Sequence, residues 1–233
     1  MTGKTTMVAF DADDTLWHNE RFFHLTQQHF ASLLADYTTP DHLSARLLAA
    51  ERRNLGRYGF GIKGFTLSMI ETALEVTGDK VPGRVIRELV EAGQEMLSHP
   101  VELLPHARAA IQALAPDHRI VLITKGDLLD QERKLAASGL GALFDGVEIV
   151  SHKTPEIYAQ AFVRHAVRPE NACMVGNSLR SDVLPAIAAG AWGIYVPHDL
   201  NWQLEHAEYP KDTARFHELK DLAALPALAG TLF

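Results

Sequence analysis

The chain has 233 residues, 47% of them hydrophobic and 22% charged, a composition that excludes disorder and low complexity and leaves enough chain for one sizeable core or two modest ones. No stretch approaches the roughly 18 to 20 uninterrupted apolar residues of a membrane span, and MTGKTTMVAF runs into charge instead of a signal-peptide core, so a cytoplasmic location and no membrane partner are expected. A net charge of −7 without any basic run argues against nucleic acid as a partner, and the single Cys173 excludes an intrachain disulfide and a thiolate zinc cage.

Short apolar runs predict strands at Met7 to Phe10, Ile120 to Thr124, Val147 to Val150, Ala172 to Val175 and Gly193 to Val196. Helical stretches separate the last four. Leu128 to Ser138 is stopped by Gly139, another helix opens at Thr154 with Pro155 in its first turn, and a third runs from about Asp182 to Gly190. Strand alternating with helix at this spacing predicts an α/β fold, a doubly wound parallel sheet with a Rossmann-like core. Residues 17–99 differ: they carry helix-period apolar positions such as Leu43, Leu47, Leu67, Ile70 and Leu74, and no convincing strand. Breaks at Thr39-Pro40, Asn54 to Gly64 and Gly78-Asp79 divide them into about four helices. The expected organisation is therefore a core domain of residues 1–16 and 100–233 with an all-helical insertion over 17–99.

Each predicted strand delivers polar residues to the carboxyl edge of the sheet, where ligands of open α/β sheets bind. These are Asp11-Ala12-Asp13-Asp14-Thr15, Thr124-Lys125-Gly126-Asp127, Ser151-His152-Lys153, Gly176-Asn177-Ser178 leading to Asp182, and Pro197-His198-Asp199. A lone D-x-D is commonly a turn; several converging strand ends are a site.

The pattern resembles the haloacid dehalogenase-like hydrolases. Their first motif, an apolar strand ending D-x-D-x-T, is matched by Val8 to Leu16, the second by Ile120 to Thr124, the third by Lys153 before a helix, and the fourth in part by Gly176-Asn177-Ser178-Leu179-Arg180-Ser181-Asp182, with Asn177 where an acid is usual. The resemblance spans essentially the whole chain and implies that the helical insertion is a C1-type cap. It implies Asp11 as nucleophile forming an aspartyl phosphate, Asp13 as general acid and base, and Thr124 and Lys153 as donors to phosphoryl oxygens. Mg²⁺ is the implied cofactor, held by the carboxylates of Asp11 and Asp182 and the backbone carbonyl of Asp13, with Asn177 or Ser178 as neutral contributors. An acid at Asp13 suits an oxygen leaving group, which needs a proton, whereas halide does not. The expectation is a phosphatase of a small phosphorylated metabolite, with a phosphomutase or dehalogenase of the same family, a receiver-like phospho-acceptor module and a catalytically silent interaction protein as competing readings. The oligomeric state is left open.

Arg57, Lys63, His18 and His198 are the candidate substrate contacts. The segment Asn54 to Phe65, with Arg57 and Lys63 among four glycines, suits a mobile recognition loop or a plain helix connector. His18 and His198 follow strand-end motifs closely and read either as substrate contacts or as structural residues. The literal G-x-G-x-x-G at Gly59, Gly61 and Gly64 follows no strand and is rejected as a dinucleotide fingerprint. Asp14 reads as a turn or helix cap, and Trp17 as a packing residue.

Overall fold

The structure, a computed structural model, describes residues 4–210 and 214–233. The chain divides into two compact units, one formed by the chain up to Glu20 and from Val101 onward, the other by Arg21–Pro100. The boundary falls a few residues later than composition suggests. Trp17 is 1% exposed in the core of the first unit, pairs by isolated bridges with Asp13 and Leu103, and is followed by a bond from the His18 amide to the Glu102 carbonyl at 3.0 Å.

The first unit is a parallel sheet. Its strands are β1 (Met7–Phe10), β2 (Arg119–Lys125), β3 (Gly146–Val150), β4 (Ala172–Gly176), β5 (Trp192–Tyr195) and β6 (Phe216–Glu218), in the order β3-β2-β1-β4-β5-β6. Each pairing is parallel, with Val8 beside Ile120 on one flank and Cys173 on the other. The fully buried MVAF run of β1 supplies both faces: Val8 and Phe10 join one hydrophobic cluster, Met7 and Ala9 the other. Helix α5 (Ala107–Leu114) and helix α9 (Leu225–Leu232) pack on the first face, and α7 (Pro155–Arg164) on the second. Strand β6 escapes a reading from apolar runs because it has three residues, FHE, at the sheet edge.

Helix boundaries follow their caps. Helix α6 (Leu128–Ser138) opens on the Asp127 side chain, which accepts the Asp130 amide, and ends at Gly139 in the left-handed region at φ 64. Thr154 caps α7 by accepting the Ile157 amide, with Pro155 in the first turn. The helix expected from about Asp182 to Gly190 is instead a π-helical turn, Leu179–Val183, followed by α8 (Leu184–Ala188).

The second unit consists of α1 (Glu20–Leu33), most of which lies in it, α2 (Pro40–Tyr58), α3 (Ile62–Thr77) and α4 (Gly83–Ser98), around a core that includes Phe30, Leu43, Leu47, Phe65, Met69 and Leu89. The expected loop over Asn54 to Phe65 is corrected here: α2 continues to Tyr58, and only residues 59–61 connect it to α3. The connector is short because Asn54 is 2% exposed and donates to Ser68 (3.1 Å) and Glu71 (2.8 Å) on α3, while Tyr58 donates to Glu71 at 3.1 Å. Gly64 is needed for the same contact, since a Cβ there would lie 2.9 Å from the Gly59 carbonyl oxygen.

Candidate active site

Strands β1 and β4 are neighbours, and from β1 the chain winds outward to β2 and β3 before returning to β4. Their carboxyl ends therefore flank the topological switch point, where an open α/β sheet leaves a crevice. Asp11 leaves β1 there, its amide bonded to the Val175 carbonyl at 2.8 Å. Gly176 ends β4, and its lack of a side chain admits Asp182: a Cβ on Gly176 would lie 2.2 Å from Asp182 Oδ2.

Lys153 joins the two sides. Its Nζ donates to Asp11 Oδ1 at 2.5 Å and to Asp182 Oδ1 at 2.6 Å, with Lys153 and Asp182 side chains 1% exposed and Asp11 10%. Burial opposes the charge on Lys153, but the carboxylates of Asp11 and Asp182 outweigh it and hold the ammonium protonated. Asp182 is pushed upward, first by burial and then by the Asp11 charge, against the pull of Lys153 and of the Ser178 amide, which donates to its Oδ2 at 3.0 Å. Two buried carboxylates share one ammonium, so positive charge is in short supply. On the far side of Asp11, the Thr15 hydroxyl donates to Oδ2 at 3.2 Å and accepts the Asn177 amide N–H at 3.1 Å. The Asn177 side chain, turned so that its nitrogen faces acceptors, reaches both the Asp13 carbonyl oxygen and Asp11 Oδ2 at 3.3 Å.

Asp13 has different surroundings. Lys134 Nζ lies 2.8 and 2.9 Å from its two oxygens, and Gln131 Nε2 and Trp17 Nε1 each donate to it at 2.8 Å. Burial would raise this carboxyl, but Lys134, Gln131 and Trp17 together hold it below the usual carboxylate range. Lys134 also contacts Asp130 at 3.4 Å and donates to Asn19 at 3.2 Å. Trp17 is thus both a packing residue and a donor to the site. Sequence reasoning missed Lys134 and Gln131 because α6 is inverted in the fold: Leu128 and Leu129 are 59% and 68% exposed, while Asp130, Gln131, Lys134 and Ser138 are buried. A helix that turns its polar face inward has polar business there.

The remaining expected residues divide. Thr124 is buried near the end of β2, beside Ile149 of β3. Ser178 caps the π-helical turn by accepting the Ser181 amide at 3.0 Å and donates to Glu205 at 2.6 Å; Glu205, another residue unmarked in the sequence, also pairs with Lys125 and accepts the Ser181 hydroxyl at 2.5 Å. Asp14 caps the turn as expected, accepting the amides of Asn19 (2.9 Å) and Glu20 (2.9 and 3.1 Å). His18 is half-buried at the same edge. Arg57 and Lys63 belong to the helical unit, at the end of α2 and the start of α3, and both are exposed. The glycines of the G-x-G-x-x-G match join or enter helices and follow no strand.

Known proteins resemble this chain in sequence and fold. A family model described as haloacid dehalogenase-like hydrolase matches residues 5–190. A glyceraldehyde 3-phosphate phosphatase of Methanothermobacter thermautotrophicus is 28% identical over 204 residues, covering 83% of this chain and 86% of that protein. The crystal structure of a haloacid dehalogenase-like family hydrolase from Xanthomonas campestris superposes with a TM-score of 0.89 at 42% identity, covering 100% of this chain and 94% of that one. A 2-haloacid dehalogenase from Pseudomonas syringae shares the fold at a TM-score of 0.63 and 18% identity, covering 98% and 99% of the two chains. With the family model covering the strand-end motifs from β1 through β4, the chain belongs to the haloacid dehalogenase-like hydrolases.

Proposed function

We propose that this hydrolase is a Mg²⁺-dependent phosphatase of a small phosphorylated metabolite, working through an aspartyl phosphate on Asp11. The observation that carries the reading is Lys153 Nζ held between the carboxylates of Asp11 and Asp182 at the switch point of the sheet. The phosphatase named among its relatives supports the same chemistry.

The residues fit a hard dication. Asp11 and Asp182 are buried acids with a single ammonium between them, and one amide nitrogen, that of Asn177, reaches both Asp11 Oδ2 and the Asp13 carbonyl, so these oxygens face a common space. Mg²⁺ in that space would draw charge from the phosphoryl oxygens and lessen the repulsion between an anionic nucleophile and an anionic substrate.

The protein's own groups perform the rest. Lys153 orients Asp11, with one oxygen bonded to the ammonium and the other to Thr15, so the nucleophile is fixed before substrate arrives. Attack by an Asp11 oxygen on phosphorus forms the acyl phosphate as the bond to the leaving oxygen breaks. Lys153 and the Thr124 hydroxyl donate to the phosphoryl oxygens. Asp13, held as an anion by Lys134, Gln131 and Trp17, is in the form required to take a proton from the water that cleaves the acyl phosphate; protonating the leaving oxygen in the first step requires that this clamp loosen once the substrate dianion is present. Asp13 also separates phosphoryl transfer from halide displacement, which needs no proton.

Turnover of an aryl phosphate in Mg²⁺, abolished by EDTA and restored by Mg²⁺, is the expected result. Phosphorylation of one aspartate per chain without release of phosphate would favour the receiver-like reading, and haloacid hydrolysis without phosphatase activity would favour a dehalogenase.

A further inference from the structure

Asp14, His18 and His198 stand outside the Lys153 cluster. They come from two strand ends of the sheet unit: Asp14 and His18 follow β1, and His198 follows β5. One potential ligand atom from each lies within 4.8 Å of the others. His198 Nε2 is 3.6 Å from Asp14 Oδ1, and the rings of His18 and His198 sit with centroids 6.0 Å apart at 67°.

The imidazole of His198 is fixed by the backbone. Its Nδ1 lies 2.9 Å from the Leu200 carbonyl oxygen and 3.2 Å from the Leu200 amide nitrogen, and in the tautomer that donates from Nδ1 to the carbonyl the Nε2 lone pair faces Asp14 as a ligand's would. Asp14 is fixed in turn. It holds the left-handed conformation at φ 58, with Oδ1 accepting the amides of Asn19 and Glu20 and Oδ2 contacted by the Glu20 amide alone, so Oδ2 is the less occupied oxygen and the one better able to take an ion. A tetrahedral ion at about 2.0 to 2.1 Å from each ligand separates ligand atoms by roughly 3.3 to 3.4 Å. His198 Nε2 stands 3.6 Å from the Asp14 carboxylate, close to that spacing, and a ring nitrogen of His18 lies within 4.8 Å of a ligand atom of each.

We propose that Asp14, His18 and His198 form a binding site for a borderline transition-metal dication of the Zn²⁺ or Co²⁺ class, distinct from the Asp11 and Asp182 carboxylates. Two imidazoles with one carboxylate select such an ion over Mg²⁺ or Ca²⁺, which take oxygen ligands. Three protein ligands leave a fourth position for water or an anion, and the ion ties the loop after β1 to the loop after β5. The site shares no side chain with Lys153, Asp11 or Asp182, so it stands whether or not those residues work with Mg²⁺.

The full-length protein in excess Mg²⁺, titrated with Zn²⁺ while the imidazole nitrogens are followed by ¹⁵N NMR, is expected to show the His18 and His198 rings shifting together by one equivalent. In calorimetry, His18→Ala and His198→Ala each weaken zinc binding by at least about 100-fold, the top of the range seen when a ligand's supporting partner alone is lost. Zinc that shifts other rings and leaves these two in place, or binds a folded His198→Ala variant with unchanged affinity, overturns the proposal. If neither variant folds, the ring shifts of the wild-type protein decide.

Discussion

The ammonium of Lys134 sits astride the carboxylate of Asp13, 2.8 Å from one oxygen and 2.9 Å from the other, with the Lys134 side chain 9% exposed. A pair buried on the Lys134 side and partly buried on the Asp13 side is a liability when one half is removed, because the survivor keeps its charge without its partner. Lys134→Met is therefore expected to lower stability by about 1 to 3 kcal/mol, less than the ~3 to 5 typical of a fully buried pair because Gln131 and Trp17 still donate to Asp13. Urea denaturation of Lys134→Met, Asp13→Asn and the double variant measures it; additive losses would show that the two residues are not coupled.

The pH dependence of that coupling has a definite sign. Asp13 titrates below its ordinary 3.8, so its contribution to stability is complete above the unfolded value and is lost as pH falls through the lower folded value. Lys134 titrates above its ordinary 10.5, so its contribution is complete below the unfolded value and is lost as pH rises through the folded one. The coupling energy is expected to be flat from about pH 5 to about pH 9. A maximum inside that window would contradict the assignment.

Asp11→Asn is expected to abolish turnover of an aryl phosphate while leaving a folded chain, because the amide cannot attack phosphorus and Lys153 retains Asp182 at 2.6 Å. Activity and a thermal unfolding curve recorded on the same preparation test both halves. A rate near that of the wild type would refute Asp11 as nucleophile.

Gly176→Ala is expected to displace Asp182, since the new Cβ would meet Oδ2, Cγ and Cβ of that residue at 2.2, 2.4 and 2.6 Å. Overpacking of this kind costs about 1 to 3 kcal/mol. The apparent Mg²⁺ requirement should rise as well, and a metal titration of activity would expose a variant that changes stability alone.

At Asn177 an acid would replace an amide that reaches Asp11 Oδ2 and the Asp13 carbonyl at 3.3 Å. Asn177→Asp is expected to destabilise the metal-free protein through like-charge repulsion and to bind Mg²⁺ several-fold more tightly, an effect of roughly 1 kcal/mol. Unchanged affinity in a calorimetric titration would remove this position from the metal's surroundings.

The strands that carry the site were legible because burial on both faces makes them continuous apolar runs, and the residues that follow such runs have to emerge at one edge. Lys153 could be matched to a motif, but its two short contacts could not be read from a residue 142 positions from Asp11. The clamp on Asp13 was hidden for a different reason. Lys134 and Gln131 lie on a helix whose ends were clear, and only the inward turn of its polar face reveals them. The segment from Asn54 to Phe65 misled because glycines normally break helices, whereas Gly56 lies within α2 and Gly64 within α3, the latter where α3 approaches the Gly59 carbonyl.

The central place of β1 bears on how the chain is made. Met7 to Phe10 leave the ribosome before either of their sheet partners, Arg119 to Leu122 and Ala172 to Val175. For about a hundred residues of synthesis this apolar strand has no sheet neighbour, while the four helices of the following segment already have local partners in one another. The strand that leads into Asp11 thus waits for its sheet neighbours while the helical segment can already fold, and an unpaired apolar run in a nascent chain is prone to aggregation.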